Sequence, residues 1–153
     1  MAITALQAAK LACSASGWTL TNLQLQKNLY IAHMLYTGRH GGEPMIEEPF
    51  EAWGYGPVLP SVYRHVSAFG NRPIKNVFHR ISDIPSDTDE HQIILDAVER
   101  LSRMNPFRLV EITHEPVSAW HRNYFPGAMG IDIPHNDVIA EYRHRFPDAA
   151  ATQ

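Results

Sequence analysis

The chain has 153 residues, 44% of them hydrophobic and 19% charged, with 13 Lys+Arg against 16 Asp+Glu, nine His and a single Cys. This is the length of one domain, long enough to bury a core without metal or disulfide staples, and a formal charge of -3 argues against general duplex binding. Cys13 alone excludes an intrachain disulfide and a cysteine-based zinc site, and no uncharged apolar run reaches the roughly 18 residues of a membrane span, so a cytoplasmic protein is expected.

Thr4-Ala5-Leu6-Gln7 has the spacing of a capping box, in which each side chain satisfies the other's backbone N–H. It opens a helix over 4–16 with Leu6, Ala9 and Cys13 on one face and Gly17 as its stop. A second box, Thr21-Asn22-Leu23-Gln24, opens a helix over 22–37. Leu25, Leu29, Ala32 and Tyr36 form one stripe there, while Leu23, Tyr30, Ile31, Met34 and Leu35 fill the other sides, so the helix belongs in the middle of the core. Gly38 reads as its end. After the turn Arg39-His40-Gly41-Gly42, the Pro-bounded stretches 44–46 and 49–53 alternate and carry aromatics, which predicts a short two-stranded ribbon. Gly54-Tyr55-Gly56-Pro57 is a turn, and Pro60 opens a helix to about residue 68 with Val62, Tyr63 and Val66 inward.

Residues 70–86 are irregular, punctuated by Pro73 and Pro85, with 74–84 read as extended. The clearest helical period runs over 88–103, where His91, Ile94, Leu95, Val98, Leu101 and Ser102 mark one face and Asp89 and Glu90 occupy the first turn. Asn105-Pro106 and Glu115-Pro116 read as N-cap plus first-turn pairs, giving short helices over 106–113 and 116–122. After a loop rich in Gly and aromatics, Pro134 starts a last helix with Val138, Ile139, Tyr142 and Phe146 inward, ended by Pro147. The expected fold is mainly α with a small β ribbon: a single compact multi-helix domain over 3–147, followed by a frayed tail over 148–153.

No nucleotide or hydrolase motif is present: there is no Gly-rich phosphate loop, no G-x-S-x-G elbow and no H-E-x-x-H. Two Glu-x-x-His strings, Glu111 with His114 and Glu141 with His144, have the spacing by which ferritin-like bundles hold two metal ions. With nine Glu and nine His, two matches are only mildly above chance, and Pro116 closes off the first helix where such bundles need long ones. No metal is expected, and a dimetal oxidoreductase stands as the alternative; His114 reads first as structural.

Arginine outnumbers lysine ten to three, in groups at Arg64/His65, Arg72/Lys75/His79/Arg80, Arg100/Arg103/Arg108 and Arg143/His144/Arg145. The planar guanidinium suits carboxylates, phosphates and interface anchoring. Solvated helix faces are the first reading, an acidic partner surface the second and a nucleic-acid-binding regulator the third. Protonating all nine His would carry the formal charge from -3 to +6, reversing the surface field between about pH 5 and 8.

The most unusual segment is 50–63, where Phe50, Trp53, Tyr55 and Tyr63 stand on a backbone shaped by Gly54, Gly56, Pro57 and Pro60. Aromatics held this way form either a satellite core or a preorganised protein-binding patch. Trp53, Tyr55, Tyr63, Arg64 and Arg39 are the candidate partner contacts.

At these residues the sequence resembles the Panacea-domain family, the SocA-like antitoxins of bacteria and prophages. The likeness rests on Leu25-Gln26-Lys27-Asn28-Leu29-Tyr30-Ile31-Ala32-His33, on Phe50-Glu51-Ala52-Trp53-Gly54-Tyr55-Gly56-Pro57-Val58 with Pro60 and Tyr63, and on residues 109–114 with Trp120. Together these span roughly residues 20–146. Asn28, Ile31 and Ala119 depart from the family's usual Leu, Tyr and Pro. The resemblance implies a mainly helical, non-catalytic protein without a cofactor that neutralises a toxin encoded next door by direct contact. For SocA-like members it also implies delivery of that toxin to the ClpXP protease, so the implied partners are a cognate toxin and ClpX/ClpP, with neither membrane nor nucleic acid. It further implies structural roles for Gln26, Lys27, Leu29, Tyr30, Glu51, Gly56, Pro57, His114 and Trp120.

Overall fold

The structure is a computed structural model and describes residues 2–128 and 130–147. Both capping boxes form: Thr4 caps α1 (Ala5–Ala15) reciprocally with Gln7, and Thr21 caps α2 (Asn22–Arg39) reciprocally with Gln24. Gly17, at φ +69°, stops α1 as expected. Thirteen of the eighteen residues of α2 are buried, so it has no solvent face to spare and lies at the centre of the fold. It packs against α1, α4 (Asp89–Leu101) and α7 (His135–Arg145), and also against α5 (Pro106–His114) and the small sheet.

Gly38 does not end α2; the helix runs through it to Arg39. The missing side chain serves packing instead, because a Cβ on Gly38 would lie inside the Tyr142 ring of α7. His40 closes the helix by stacking on Tyr36 at 3.8 Å and bonding Tyr36 O at 2.9 Å and Asp89 at 3.0 Å, which ties the end of α2 to the start of α4.

The ribbon forms between β1 (Glu51–Trp53) and β2 (Gly56–Val58), antiparallel, with Gly54-Tyr55 as a two-residue turn. The expected partner stretch, 44–46, does not pair with it: Met45 and Ile46 turn into the core, and Ile46 bridges Ile3. Ala52 and Pro57 form a non-hydrogen-bonded pair of the antiparallel ladder, where backbone groups point away from the partner strand, so Pro57 costs the ladder no bond and Ala52 donates outward to Ile131 O at 2.9 Å, while Ile133 donates to Phe50 O at 2.7 Å. The other edge of β1 is thus covered by residues 131–133.

Helix α3 (Pro60–His65) is followed by a 3-10 turn, Ser67–Phe69; Val62 and Val66 are buried and Tyr63 half-buried. Residues 70–86 contain no strand, and their expected extended stretch is a coil pinned by buried Ile74, Phe78 and Ile84. The buried face of α4 is Glu90, Ile93, Ile94, Ala97, Val98 and Leu101; Ile94, Val98 and Leu101 are buried as expected, whereas His91, Leu95 and Ser102 give way to Glu90, Ile93 and Ala97. The Tyr36 hydroxyl donates to Glu90 at 2.7 Å, and a carboxylate partnered in this way can be buried.

Helix α6 (Ala119–Asn123) starts three residues later than Glu115-Pro116 predicted. Its N-terminus is satisfied by Ser118, which accepts from His121 N–H, and by Glu141, which accepts from Ala119 N–H at 2.8 Å. On α7 the inward positions are Val138, Glu141 and Tyr142, whereas Phe146 is 40% exposed. The expected tail, 148–153, lies outside the described residues.

The reversal of surface charge expected from nine protonated His does not extend to His33. That ring is buried between Phe50 and His135, its Nδ1 accepts from Ile46 N–H at 3.2 Å, and burial pulls its pKa down to about 3.

Two predictions arise here. Helix propensity alone would make Gly38→Ala stabilising by about 1 kcal/mol; the Tyr142 ring reverses the sign, and urea denaturation should show a loss of about 1–3 kcal/mol. An unchanged or raised midpoint would mean that α2 and α7 have room to spare. Unfolded His33 protonates near its ordinary 6.5 while the folded ring stays neutral to about 3, so stability is retained above pH 6.5 and falls as the pH drops below it. The melting temperature should therefore decline between about pH 6.5 and 5, and less steeply in His33→Asn.

Candidate protein-binding surface

The hairpin tip, 53–56, is held from beneath by consecutive side chains of α2. Lys27, 1% exposed, donates from its ammonium to the Tyr55 carbonyl. Gln26 accepts from Leu59 N–H at 2.8 Å and donates to Asn22 Oδ1 at 3.2 Å, and Asn22 donates to Tyr63 O at 3.3 Å. One helical turn thus fixes the backbone at both ends of β2. Gly56 is required twice: its φ is +116°, and a Cβ there would overlap Lys27 Nζ and come within 3.2 Å of His114 Nε2.

A stack of rings holds the tip from the other side. His114, the last residue of α5, lies flat on Trp120 at 3.9 Å, and Trp120 stacks on Tyr124 at 4.7 Å. The Trp120 indole donates to Trp53 O at 2.5 Å, while Glu51 accepts from the Trp53 indole at 2.9 Å and so sets that ring's orientation. No ion pair reaches Lys27 among the described residues. Burial pulls its pKa down to about 8; His114 is also lowered, first by burial and further by the nearby Lys27 ammonium, with the Tyr55 backbone acting in the opposite direction.

Above this clamp the aromatic surface faces solvent. Tyr55 is 66% exposed, and Trp53 and Tyr63 are half-buried with ring centres 4.9 Å apart. Between the tip, α3 and the first turn of α2 runs a groove of about 290 Å³ whose apolar walls are Leu23, Tyr55, Val58 and Tyr63. Arg64, the residue after Tyr63, is exposed on α3. Trp53, Tyr55 and Tyr63 are therefore brought together. Arg39 is not: it lies at the opposite end of α2, about 25 Å from Asn22 at about 1.5 Å per residue. Leu23, expected in the core, is 41% exposed, because the second residue of a helix projects beyond the bundle that buries the later turns.

The two Glu-x-x-His strings do not converge, which overturns the dimetal alternative. Glu111 is exposed and paired with Arg108 at 3.1 Å, and His144 is exposed. Glu141, 2% exposed, accepts from Tyr30 Oη at 2.6 Å, from Ala119 N–H at 2.8 Å and from Arg145 at 2.9 Å. Arg145 in turn bonds Glu115 at 2.9 Å and Ile112 O at 2.7 Å. Among the described residues, no group of three or more His, Cys, Asp or Glu is placed to hold a metal ion. This network joining α2, α5, α6 and α7 was missed from sequence; its only signal is the i, i+4 spacing of Glu141 and Arg145.

The family described as Antitoxin SocA-like, Panacea domain, matches residues 25–121. The chain belongs to this family. Antitoxin SocA of Caulobacter vibrioides (strain NA1000 / CB15N) is 38% identical, in an alignment covering 83% of this chain and 73% of that protein. No solved structure matches the chain. Gln26, Lys27, Gly56, His114 and Trp120 fall inside the stretch that this Panacea family matches, whereas Thr21, Asn22 and Leu23 at the rim of the groove, and Tyr124 at the end of the ring stack, fall outside it.

Lys27→Met keeps the length of the side chain, removes the charge and leaves the Tyr55 carbonyl without its donor. The fold lowers the amine from 10.5 to about 8, so between those values the unfolded chain holds more protons than the folded one. The cost of the buried charge is full below about pH 8 and is lifted as the pH rises toward 10.5. Wild type should gain stability relative to Lys27→Met over that window, on the order of 3 kcal/mol in all. A gap that stays constant with pH would show that the amine does not titrate in this way.

Proposed function

We propose that the chain is an antitoxin that neutralises the toxin encoded beside it by direct binding, and that it does so with the hairpin tip and α3. The observation that carries this reading is Tyr55: its ring is 66% exposed on a turn whose carbonyl is held by a buried lysine and whose Gly56 has no room for a side chain. An aromatic side chain on a backbone already fixed has little freedom left to lose on docking, which suits it as an interface anchor. Trp53 and Tyr63 support it from behind, and Arg64 supplies a guanidinium at the edge. Membership of a family described as SocA-like antitoxins supports a toxin as the partner. Arg39 stands outside the proposed surface.

The reading requires neither catalysis nor a cofactor, and it places the protein with its toxin in the cytoplasm; no helix among the described residues is long and apolar enough to cross a membrane. Gln26, Lys27, Leu29, Tyr30, Glu51, Gly56, Pro57, His114 and Trp120 act as the scaffold for the contact. Delivery of the bound toxin to ClpXP, as the resemblance implies, would use the same contact.

Co-expression with the neighbouring gene tests the proposal. That product should arrest growth alone and be neutralised by this chain. Tyr55→Ala or Arg64→Ala should weaken binding by about tenfold or more with the melting temperature nearly unchanged. A harmless product that does not bind ends the reading, and a large drop in melting temperature returns these residues to the core. For the adaptor role, the toxin's half-life should shorten only when this chain and ClpX are both present; equal half-lives remove that role and leave neutralisation standing.

A further inference from the structure

We infer that the groove beside Tyr55 receives an acidic, amphipathic segment of the toxin, with apolar side chains between Leu23, Val58 and Tyr63 and carboxylates over the rim. The inference rests on the antitoxin reading and specifies the chemistry of its partner. The groove holds about 290 Å³, room for a side chain or two and small for a cofactor. None of the side chains lining it is charged.

The segments that form it carry charge of one sign. From Ala52 to Ser82 the chain has Arg64, Arg72, Lys75 and Arg80 and no Asp or Glu, and the first 42 residues also have none. Every segment that lines the groove comes from these two carboxylate-free stretches, in a protein whose net charge is -3. The carboxylate closest along the chain, Glu51, is half-buried and accepts from the Trp53 indole. Arg64, Arg72 and Lys75 are exposed, and Arg72 is braced on Phe69 O and Ala68 O at 3.2 Å each. The first turn of α2, with no acidic residue in it, adds the positive end of an eighteen-residue helix to the same rim.

This combination favours an acidic peptide segment over nucleic acid. Nucleic acid is gripped by rows of Lys and Arg that follow the phosphates, with bases stacked on free aromatic faces. Here the cations are few and peripheral, and of the two rings in the lining Tyr63 is already packed against Trp53, which leaves Tyr55 alone and no row of aromatic faces for successive bases.

The test measures binding of the purified neighbouring toxin to wild type, to Arg64→Glu/Arg72→Glu, to Leu23→Glu, to the groove-filling Asn71→Trp and to Arg103→Glu on the distant α4 side. Melting temperatures are taken for each variant. The double reversal should weaken binding more than about tenfold, chiefly through slower association and with a flatter salt dependence. Leu23→Glu and Asn71→Trp should raise the dissociation rate without changing the melting temperature, and Arg103→Glu should bind as wild type does. Among synthetic peptides tiling the toxin, acidic amphipathic ones should compete.

If wild type binds the toxin and the groove variants bind it equally well, or if only basic peptides compete, the groove assignment is overturned and the antitoxin reading survives. If wild type does not bind the toxin, both fall. Tight binding of a mixed-sequence DNA duplex or of poly-uridine, lost in the double reversal, would overturn the assignment in favour of nucleic acid.

Discussion

The arrangement of the hairpin depends on one buried bond, from the Lys27 ammonium to the Tyr55 carbonyl. On stability alone it is an expensive choice, because an ammonium removed from water with no carboxylate to meet it costs several kcal/mol, and an apolar side chain of similar length would be cheaper to bury. What the charge adds is specificity. A methionine fills space in any orientation, whereas an ammonium must find an acceptor, and the acceptor here is a single carbonyl at the tip of a two-residue turn. Gly56 leaves the ammonium its space, Gln26 fixes the backbone four residues beyond the tip at Leu59, and Trp120 holds the carbonyl of Trp53. The tip is then determined from both faces before any partner arrives.

The Glu141 network does the same for the helices. A carboxylate buried to 2% is stable only if its lone pairs are used, and here a tyrosine of α2, the first N–H of α6 and an arginine one turn along α7 use them. Since Arg145 also reaches Glu115 and the end of α5, sliding any one of these helices would strand a buried charge. Burial also explains the directions of titration: Tyr30, deep beside Glu141, is pushed well above its ordinary range, first by desolvation and then by that carboxylate. The polar residues buried in α2, Gln26 and Lys27 among them, are the ones that connect it to the hairpin.

Local rules were legible in the sequence, and rules needing a distant partner were not. Both capping boxes formed where Thr and Gln stand three apart, since the interaction closes within one turn. Gly38 was misread because a helical glycine has two causes, termination and close approach, and only the position of Tyr142 separates them. The face of α4 was misjudged because Glu90 counts as polar until the Tyr36 hydroxyl opposite it is known. The start of α6 falls later than Glu115-Pro116 suggests because Ser118 is its cap and the acceptor for the first N–H, Glu141, lies 22 residues further on. The aromatic patch was visible as a composition, yet Arg39 was grouped with it and Leu23 left out, since nothing along the chain reveals that α2 presents its first turn, not its last, to the hairpin.

The clamp and the surface above it make different demands on sequence. At the tip the clamp touches backbone atoms: Lys27 takes the carbonyl of residue 55, Trp120 the carbonyl of residue 53, and Gln26 the N–H of residue 59. Only Gly56 is constrained in its side chain. A substitution at Tyr55 or Leu23 therefore changes what the groove presents while removing no hydrogen bond of the clamp, whereas one at Lys27, Gly56 or Trp120 loosens the tip whatever it presents. A scaffold built this way separates the geometry of recognition from its chemistry. The side chains that touch the tip's backbone, Gln26, Lys27 and Trp120, lie within the stretch matched by the family, which begins two residues after Leu23 at the rim of the groove.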